Sequence, residues 1–168
     1  GPLSGLKVIE LCHVLAGPTC GVMLADMGAD VIKVERIPGG DDTRRTVPPK
    51  IGDEAASFLM MNRNKRGIAV DLKTEDGKRV VRRLLQDADV VTENYRRGAM
   101  DRMGLGYDTL RKSNSRLIYC AISGFGRTGP YAGKPEPGVP DLSRYRRKPS
   151  LTLQQVEALA HQRWKTWA

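Results

Sequence analysis

Five short apolar, β-branched runs alternate with stretches of helical periodicity, and this alternation constrains the chain more than any other feature. Residues 6–11 (LKVIEL), 30–35 (DVIKVE), 67–72 (GIAVDL), 89–93 (DVVTE) and 116–123 (RLIYCAIS) have the length and composition of strands. Between the first two, Cys20, Met23, Leu24 and Met27 recur at i, i+3, i+4 and i+7, one stripe of a helix that stops at Gly28. After the third, Thr74 offers an N-cap, with Glu75 and Asp76 in the first turn. Val81, Leu84, Leu85 and Ala88 then form a second stripe. Short helices are expected near Ala99 and Asp108, and residues 38–52 read as loop. The alternation predicts an α/β fold, a parallel sheet flanked by helices with right-handed crossovers. Ligands of such sheets sit beyond the carboxyl ends of the strands. The residues just after Leu11, Glu35, Leu72, Glu93 and Ser123 therefore carry the functional expectation.

Composition narrows the classes. No stretch approaches the ~18 apolar residues of a membrane span. The start of the sequence has no charged region, apolar core and cleavage site in succession, so no membrane and no export are expected, and a cytoplasmic setting is. Three cysteines, Cys12, Cys20 and Cys120, are odd in number and widely spaced, which excludes a tidy disulfide framework and suits a reducing compartment. Two distant histidines, His13 and His161, give no metal-ligand spacing, so no metal is expected. The net charge of +9 favours an anionic partner. Nucleic acid is not expected, because aromatics are only 5% and the basic residues are scattered through loops.

The strand ends specify the anion further. After the first run, His13-Val14-Leu15-Ala16-Gly17-Pro18 turns the chain into a helix, leaving backbone N–H groups and a positive dipole end. His13 is either a contact to phosphate or substrate, or a satisfied strand-end histidine. Arg36 and then GGDDTR (residues 39–44) follow the second run. Lys73 follows the third, itself preceded by the basic turn Arg63-Asn64-Lys65-Arg66. Asn94, Tyr95, Arg96, Arg97 and then Arg102 follow the fourth. Guanidinium groups hold phosphate bidentately and lysine adds a point charge, so cations after three strands on one edge predict a polyanionic cofactor. Gly124-Phe125-Gly126-Arg127-Thr128-Gly129 matches G-x-G-x-x-G after a strand, but Pro130 and the segment beyond it do not open a helix. NAD is therefore not expected. Cys12 and His13 are strand neighbours that point to opposite faces, a poor nucleophile pair.

These motifs also carry a resemblance. PLSGLKVIEL, HVLAGP, LADMGADVIKVE, GDDTR, NRNKRGIAVDLKTEDGK, DVVTENYRRGAMDRMGLGYDTL and SGFGRTGPYAG, within residues 2–134, resemble the N-terminal part of the family III CoA-transferases (CaiB/BaiF). That family includes formyl-CoA, carnitine and succinyl-CoA-type transferases and α-methylacyl-CoA racemase. GDDTR and NRNKR look more like the transferase branch. The resemblance implies a Rossmann-like CoA-binding domain over residues 1–134, an interlocked homodimer, and acyl-CoA and a small carboxylate as substrates. Carried over, CoA contacts fall on His13, Leu15, Ala16 and Arg36; on Val70, Asp71, Leu72 and Lys73 along the adenosine; on Asn94, Tyr95, Arg96 and Arg102; and on Lys134. The resemblance moves His13 to the ligand side of its alternative. It also implies a covalent route, in which an aspartate attacks the acyl-CoA thioester and passes through an anhydride and an aspartyl-CoA thioester.

Residues 135–168 depart from that pattern. Residues 137–168 carry six basic and two acidic side chains, against 22 and 17 before them. Pro137-Gly138-Val139-Pro140-Asp141-Leu142-Ser143 resembles a shortened nucleophile stretch, which makes Asp141 the candidate nucleophile or, alternatively, a plain loop aspartate. The fold is accordingly expected to be truncated relative to the family's interlocked two-domain form, with a divergent basic tail that is a remnant or a frameshifted segment. Two functions follow. One is a CoA-transferase moving CoA from an acyl-CoA to a small carboxylic acid through an aspartyl intermediate. The other is a non-catalytic CoA-binding or dimerisation fragment.

Overall fold

The computed structural model describes residues 1–46 and 49–133. These fall within Gly1–Lys134, the first of two units into which the chain divides. The elements are β1 (Lys7–Leu11), α1 (Ala16–Asp26), β2 (Asp30–Arg36), a 3-10 turn (Asp42–Arg45), β3 (Lys50–Ile51), β4 (Glu54–Ala55), α2 (Ala56–Asn62), β5 (Arg66–Val70), α3 (Glu75–Gln86), β6 (Val90–Glu93), α4 (Ala99–Arg102), α5 (Tyr107–Leu110) and β7 (Ile118–Ala121). All five expected strands are present. They form one sheet in the order β5-β2-β1-β6-β7, with every neighbouring pair parallel. The expected α/β class is observed.

The two faces of the sheet differ in chemistry. Successive strand residues point to opposite sides. On one side Ile9, Leu11, Val34, Val70 and Val91 bury against Val81, Leu85, Met100, Leu105 and Leu110. The helix α3 follows its expectation: Thr74 accepts the Gly77 N–H at 3.1 Å as N-cap, and Val81, Leu85 and Ala88 are buried. On the other side a small cluster of Val8, Ala25, Ala29 and Val31 gives way to charged strand residues, Glu10, Lys33 and Glu35, all buried.

That second face explains why α1 differs from its expected stripe. Met23 is 61% exposed and Met27 40%, whereas Gly17, Pro18, Gly21, Val22 and Ala25 are buried. A Cβ added at Gly17 would stand 2.3 Å from Cys12 Cβ, and one at Gly21 would stand 1.6 Å from Glu10 Oε2. The helix lies so close to the sheet that its contact face holds small residues; of the expected stripe Leu24 packs against the small cluster and Cys20 is half-buried, while Met23 and Met27 point away. Two glycines inside a helix cost about 0.5–1 kcal/mol each relative to alanine, which the close contact offsets. The expected loop at 38–52 also contains more structure than its sequence suggests. It holds the 3-10 turn and the first strand of the antiparallel β3–β4 hairpin, in which Lys50 pairs with Ala55.

Candidate functional site

The strand order sets where a ligand crevice opens. From β1 the sheet grows one way through β2 and β5 and the other way through β6 and β7. The connection therefore reverses direction between β1 and β6, whose carboxyl ends Leu11 and Glu93 are register partners. The loops leaving these two ends are stitched together. The His13 N–H donates to Asn94 Oδ1 at 2.9 Å, and Asn94 Nδ2 donates to the His13 carbonyl at 2.8 Å. His13 Nε2 and the Tyr95 hydroxyl share a hydrogen bond of 3.1 Å, the two rings meeting edge-on. Burial holds the His13 imidazole below its usual pKa and pushes the Tyr95 phenol up to about 12, so neither ring is charged at neutral pH. His13 Nδ1 is buried and has no hydrogen-bond partner among the described residues.

A buried charge network supports this turn, and sequence reading missed it. Val14 has a positive φ of 69° and donates its N–H to Asp41 Oδ1 at 3.1 Å. The same oxygen accepts from Thr43 N at 3.0 Å and Thr43 Oγ1 at 2.9 Å. Asp41 Oδ2 lies 2.9 Å from Lys33 Nζ. Lys33 also donates to Glu10 Oε1 at 3.1 Å and to the Cys12 carbonyl at 2.9 Å. Glu10 Oε2 accepts from Lys65 Nζ at 2.8 Å. None of the side chains of Glu10, Lys33, Asp41 and Lys65 is more than 2% exposed. Burial opposes the charge on Asp41, but hydrogen bonds from Lys33 and Thr43 outweigh it and hold the carboxyl below the usual range. Burial pushes the Cys12 thiol up to about 12, which leaves it inert as a nucleophile. The strand alternation that marks apolar faces gives no signal for a row of paired charges on the opposite face.

Because the strands are parallel, the cations that follow β2, β5 and β6 share one edge of the sheet. Arg36 closes β2, is about half exposed, and is paired with Asp42. Lys73 follows a turn in which Asp71 Oδ1 accepts the Lys73 N–H at 2.9 Å. Val70 is buried in the core and Leu72 packs partly buried against it, which anchors that turn. Lys73, Arg96, Arg97 and Arg102 are exposed and make no ion pair with another described residue. Leu15 and Ala16 are exposed at the start of α1. A cleft of about 410 Å³ opens beside Arg36, between the 36–40 loop and Gly67 to Ala69. Lys134 and Asp141 lie outside the described residues.

Other charged motifs serve the frame instead. The basic turn before β5 meets acids around the amino ends of the strands: Arg63 pairs with Asp26 at 2.5 Å and Arg66 with Asp30 at 2.5 Å. Arg44 of GDDTR pairs with Glu35 at 2.7 Å and Glu54 at 2.9 Å, and its guanidinium stacks 3.7 Å over Phe58. Arg127 of the glycine-rich segment reaches the buried Glu93 at 2.7 Å and so ties that segment to the end of β6. Among the described residues no cluster of His, Cys, Asp or Glu is placed to hold a metal ion, and no helix is long and apolar enough to cross a membrane.

Comparison with known proteins agrees with this architecture. Residues 3–141 match the family model described as CoA-transferase family III. The chain is 56% identical over 137 residues to the succinate–glutarate CoA-transferase of Agrobacterium fabrum, covering 78% of this chain and 34% of the relative. It is 47% identical over 135 residues to the acetyl-CoA:oxalate CoA-transferase of Acetobacter aceti, covering 80% and 34%. A crystal structure of a CAIB/BAIF family protein from Brucella suis superposes with a TM-score of 0.76 at 52% identity, over 80% of this chain and 36% of that one. The chain thus spans about a third of the length of these relatives. The match of residues 3–141, carried on a parallel sheet with its crevice beside β1, shows that the chain belongs to CoA-transferase family III.

Proposed function

We propose that this chain binds coenzyme A, as an acyl-CoA, in the crevice between β1 and β6, as the CoA-holding part of a CoA-transferase. The carrying observation is the buried, unpartnered His13 Nδ1, set in a turn whose other polar groups are fixed. Buried polar atoms are nearly always paired, so this one marks a place that a ligand group completes. The open first turn of α1, with Arg36, Lys73, Arg96 and Arg102 on the same edge, supports phosphate binding there. The backbone of 70–73 suits the adenosine, and Lys134 belongs to the same set by resemblance.

In this reading residues 1–134 are the CoA-binding domain, residues 135–168 are the divergent basic tail that carries Asp141, and the protein works as a homodimer. The acceptor is a small dicarboxylic acid, a class that the relatives named for succinate, glutarate and oxalate support. Asp141 is the nucleophile. Its carboxylate attacks the thioester carbonyl, the C–S bond breaks, and an acyl-aspartyl anhydride forms with release of CoA thiolate. The thiolate attacks the aspartyl carbonyl, releasing the first acid and leaving an aspartyl-CoA thioester. The acceptor carboxylate attacks that thioester, and the returning thiolate takes the new acyl group and frees Asp141. Backbone N–H donors stabilise each oxyanion. Besides Asp141, the chain's part in these steps is to hold CoA with a neutral imidazole, a protonated phenol and the cations along the sheet edge.

The test is to incubate the 168-residue chain with succinyl-CoA and labelled glutarate, with hydroxylamine as a trap. Labelled glutaryl-CoA, and an aspartyl hydroxamate that Asp141→Asn abolishes, support the reading. CoA binding without transfer or trapping replaces it with the non-catalytic CoA-binding fragment.

A further inference from the structure

Three consecutive residues in the turn after β1 are each held through the backbone by a side chain from a different part of the fold. Lys33 of β2 binds the Cys12 carbonyl, Asn94 after β6 binds both backbone groups of His13, and Asp41 before the 3-10 turn accepts the Val14 N–H. Val14 is the residue that needs holding. A β-branched side chain at a φ of 69° is rare and persists only where surrounding structure imposes it. The Asp41 carboxylate that accepts its N–H is fully buried, and a carboxylate in that position requires a compensating cation, which Lys33 supplies at 2.9 Å. Lys33 is fixed in turn by Glu10 on the neighbouring strand.

Resting on the reading of the crevice as a CoA site, we infer that Asp41, balanced by Lys33, is a positioning residue for that site. It holds Val14 in the left-handed conformation and so fixes the turn that sets His13 and the first amides of α1 at the crevice. Asp41 touches no ligand in this account. Its effect on binding passes through the backbone of residue 14. A buried ion pair is in general a weak source of net stability, so its readable contribution is to the shape of the turn.

The experiment is a double-mutant cycle between positions 14 and 41 in the full chain. CoA affinity is measured by calorimetry, melting temperature is recorded alongside, and amide hydrogen exchange of the peptide containing Val14 is followed without ligand. Glycine adopts positive φ without steric cost, so Val14→Gly removes the need for the hold. Asp41→Ala is expected to weaken CoA binding about ten-fold, the scale of one lost charge-assisted bond. It should also raise exchange at Val14, and in the Val14→Gly background it should cost far less affinity. A merely structural Asp41 lowers the melting temperature equally in both backgrounds and leaves the affinities additive, which overturns the inference. Where Asp41→Ala does not fold, Asp41→Asn is measured instead: its Oδ1 can still accept the Val14 N–H, so near-wild-type exchange at Val14 and near-wild-type CoA affinity are expected, and a ten-fold loss of affinity with unchanged exchange overturns the inference. Failure of the wild type to bind CoA overturns the reading of the crevice. Unchanged Val14 exchange in Asp41→Ala overturns the positioning role by itself.

Discussion

Asn94 grips the backbone of His13 from both sides. Its carboxamide accepts the His13 N–H at 2.9 Å and donates to the His13 carbonyl at 2.8 Å, across 81 positions of sequence. This reciprocal pair fastens the loop after β1 to the loop after β6, at the point where the sheet changes direction. Asn94→Ala removes both bonds and leaves two backbone groups to find water. We expect a loss of about 1–3 kcal/mol in urea unfolding together with weaker CoA binding. Asn94→Asp keeps the acceptor and loses the donor, so it should fall between. An Asn94→Ala protein as stable as the wild type would contradict the clamp.

The edge arginines should behave in the opposite way. Arg36 and Arg102 are exposed, and no core contact depends on their charge. Arg36→Ala and Arg102→Ala should each weaken CoA binding roughly ten-fold or more, since charge-assisted bonds are worth about 1.5–3 kcal/mol, with little change in melting temperature. Calorimetric titration at fixed salt checks this. Unchanged affinity in both variants would remove these residues from the site.

Glu10 is the hub of the buried charges, with Lys33 on one oxygen and Lys65 on the other. Glu10→Ala strands Lys65 without a carboxylate and Lys33 with only Asp41. Breaking a buried pair by deleting one partner costs about 3–5 kcal/mol, and equilibrium denaturation should show a loss of that order. Glu10→Ala combined with Lys65→Met should recover part of it, because no lysine is then left unpaired at that oxygen. Absence of any such recovery would mean the network is not coupled as described.

His13 gives the protein a pH dependence of defined sign. Burial lowers its folded-state pKa below the ordinary 6.5, so the unfolded chain takes up the proton first as pH falls. The unfolded state then binds more protons, and stability declines from pH 6.5 downward until the folded-state pKa is passed. Well above 6.5, where neither state holds the proton, His13 contributes no slope. The neutral replacement His13→Gln should flatten this part of the stability–pH profile, read by denaturant titrations between pH 7 and pH 5. A wild-type profile that matches the variant across that range would contradict a buried neutral imidazole.

Much of the frame was legible in the sequence, because residues 6–11, 30–35, 67–72, 89–93 and 116–123 are dense in residues that fit a buried parallel sheet, and all five became strands. The stripe on α3 was legible for the same reason. The stripe on α1 misled, since a helix pressed against Glu10 and Cys12 presents glycine there, and its methionines mark the outer side. Around the turn after β1, the strand-end rule named His13, Asn94, Tyr95 and, within GGDDTR, Asp41, but gave no sign that Asp41 is buried against Lys33 or that Lys33 and Lys65 meet at Glu10. Long-range pairing between charges on separate strands and loops leaves no periodic trace, and the basic turn at 63–66 looked like part of an anion-binding edge until Lys65 proved to be buried against Glu10.

The most direct test of the CoA crevice is a crystal structure of the 168-residue chain grown with coenzyme A. The pyrophosphate is expected at the first turn of α1 within hydrogen-bonding reach of Arg36, with a ligand atom or bridging water on His13 Nδ1. Coenzyme A seated elsewhere, with the space between β1 and β6 empty and His13 Nδ1 still unpaired, would contradict it.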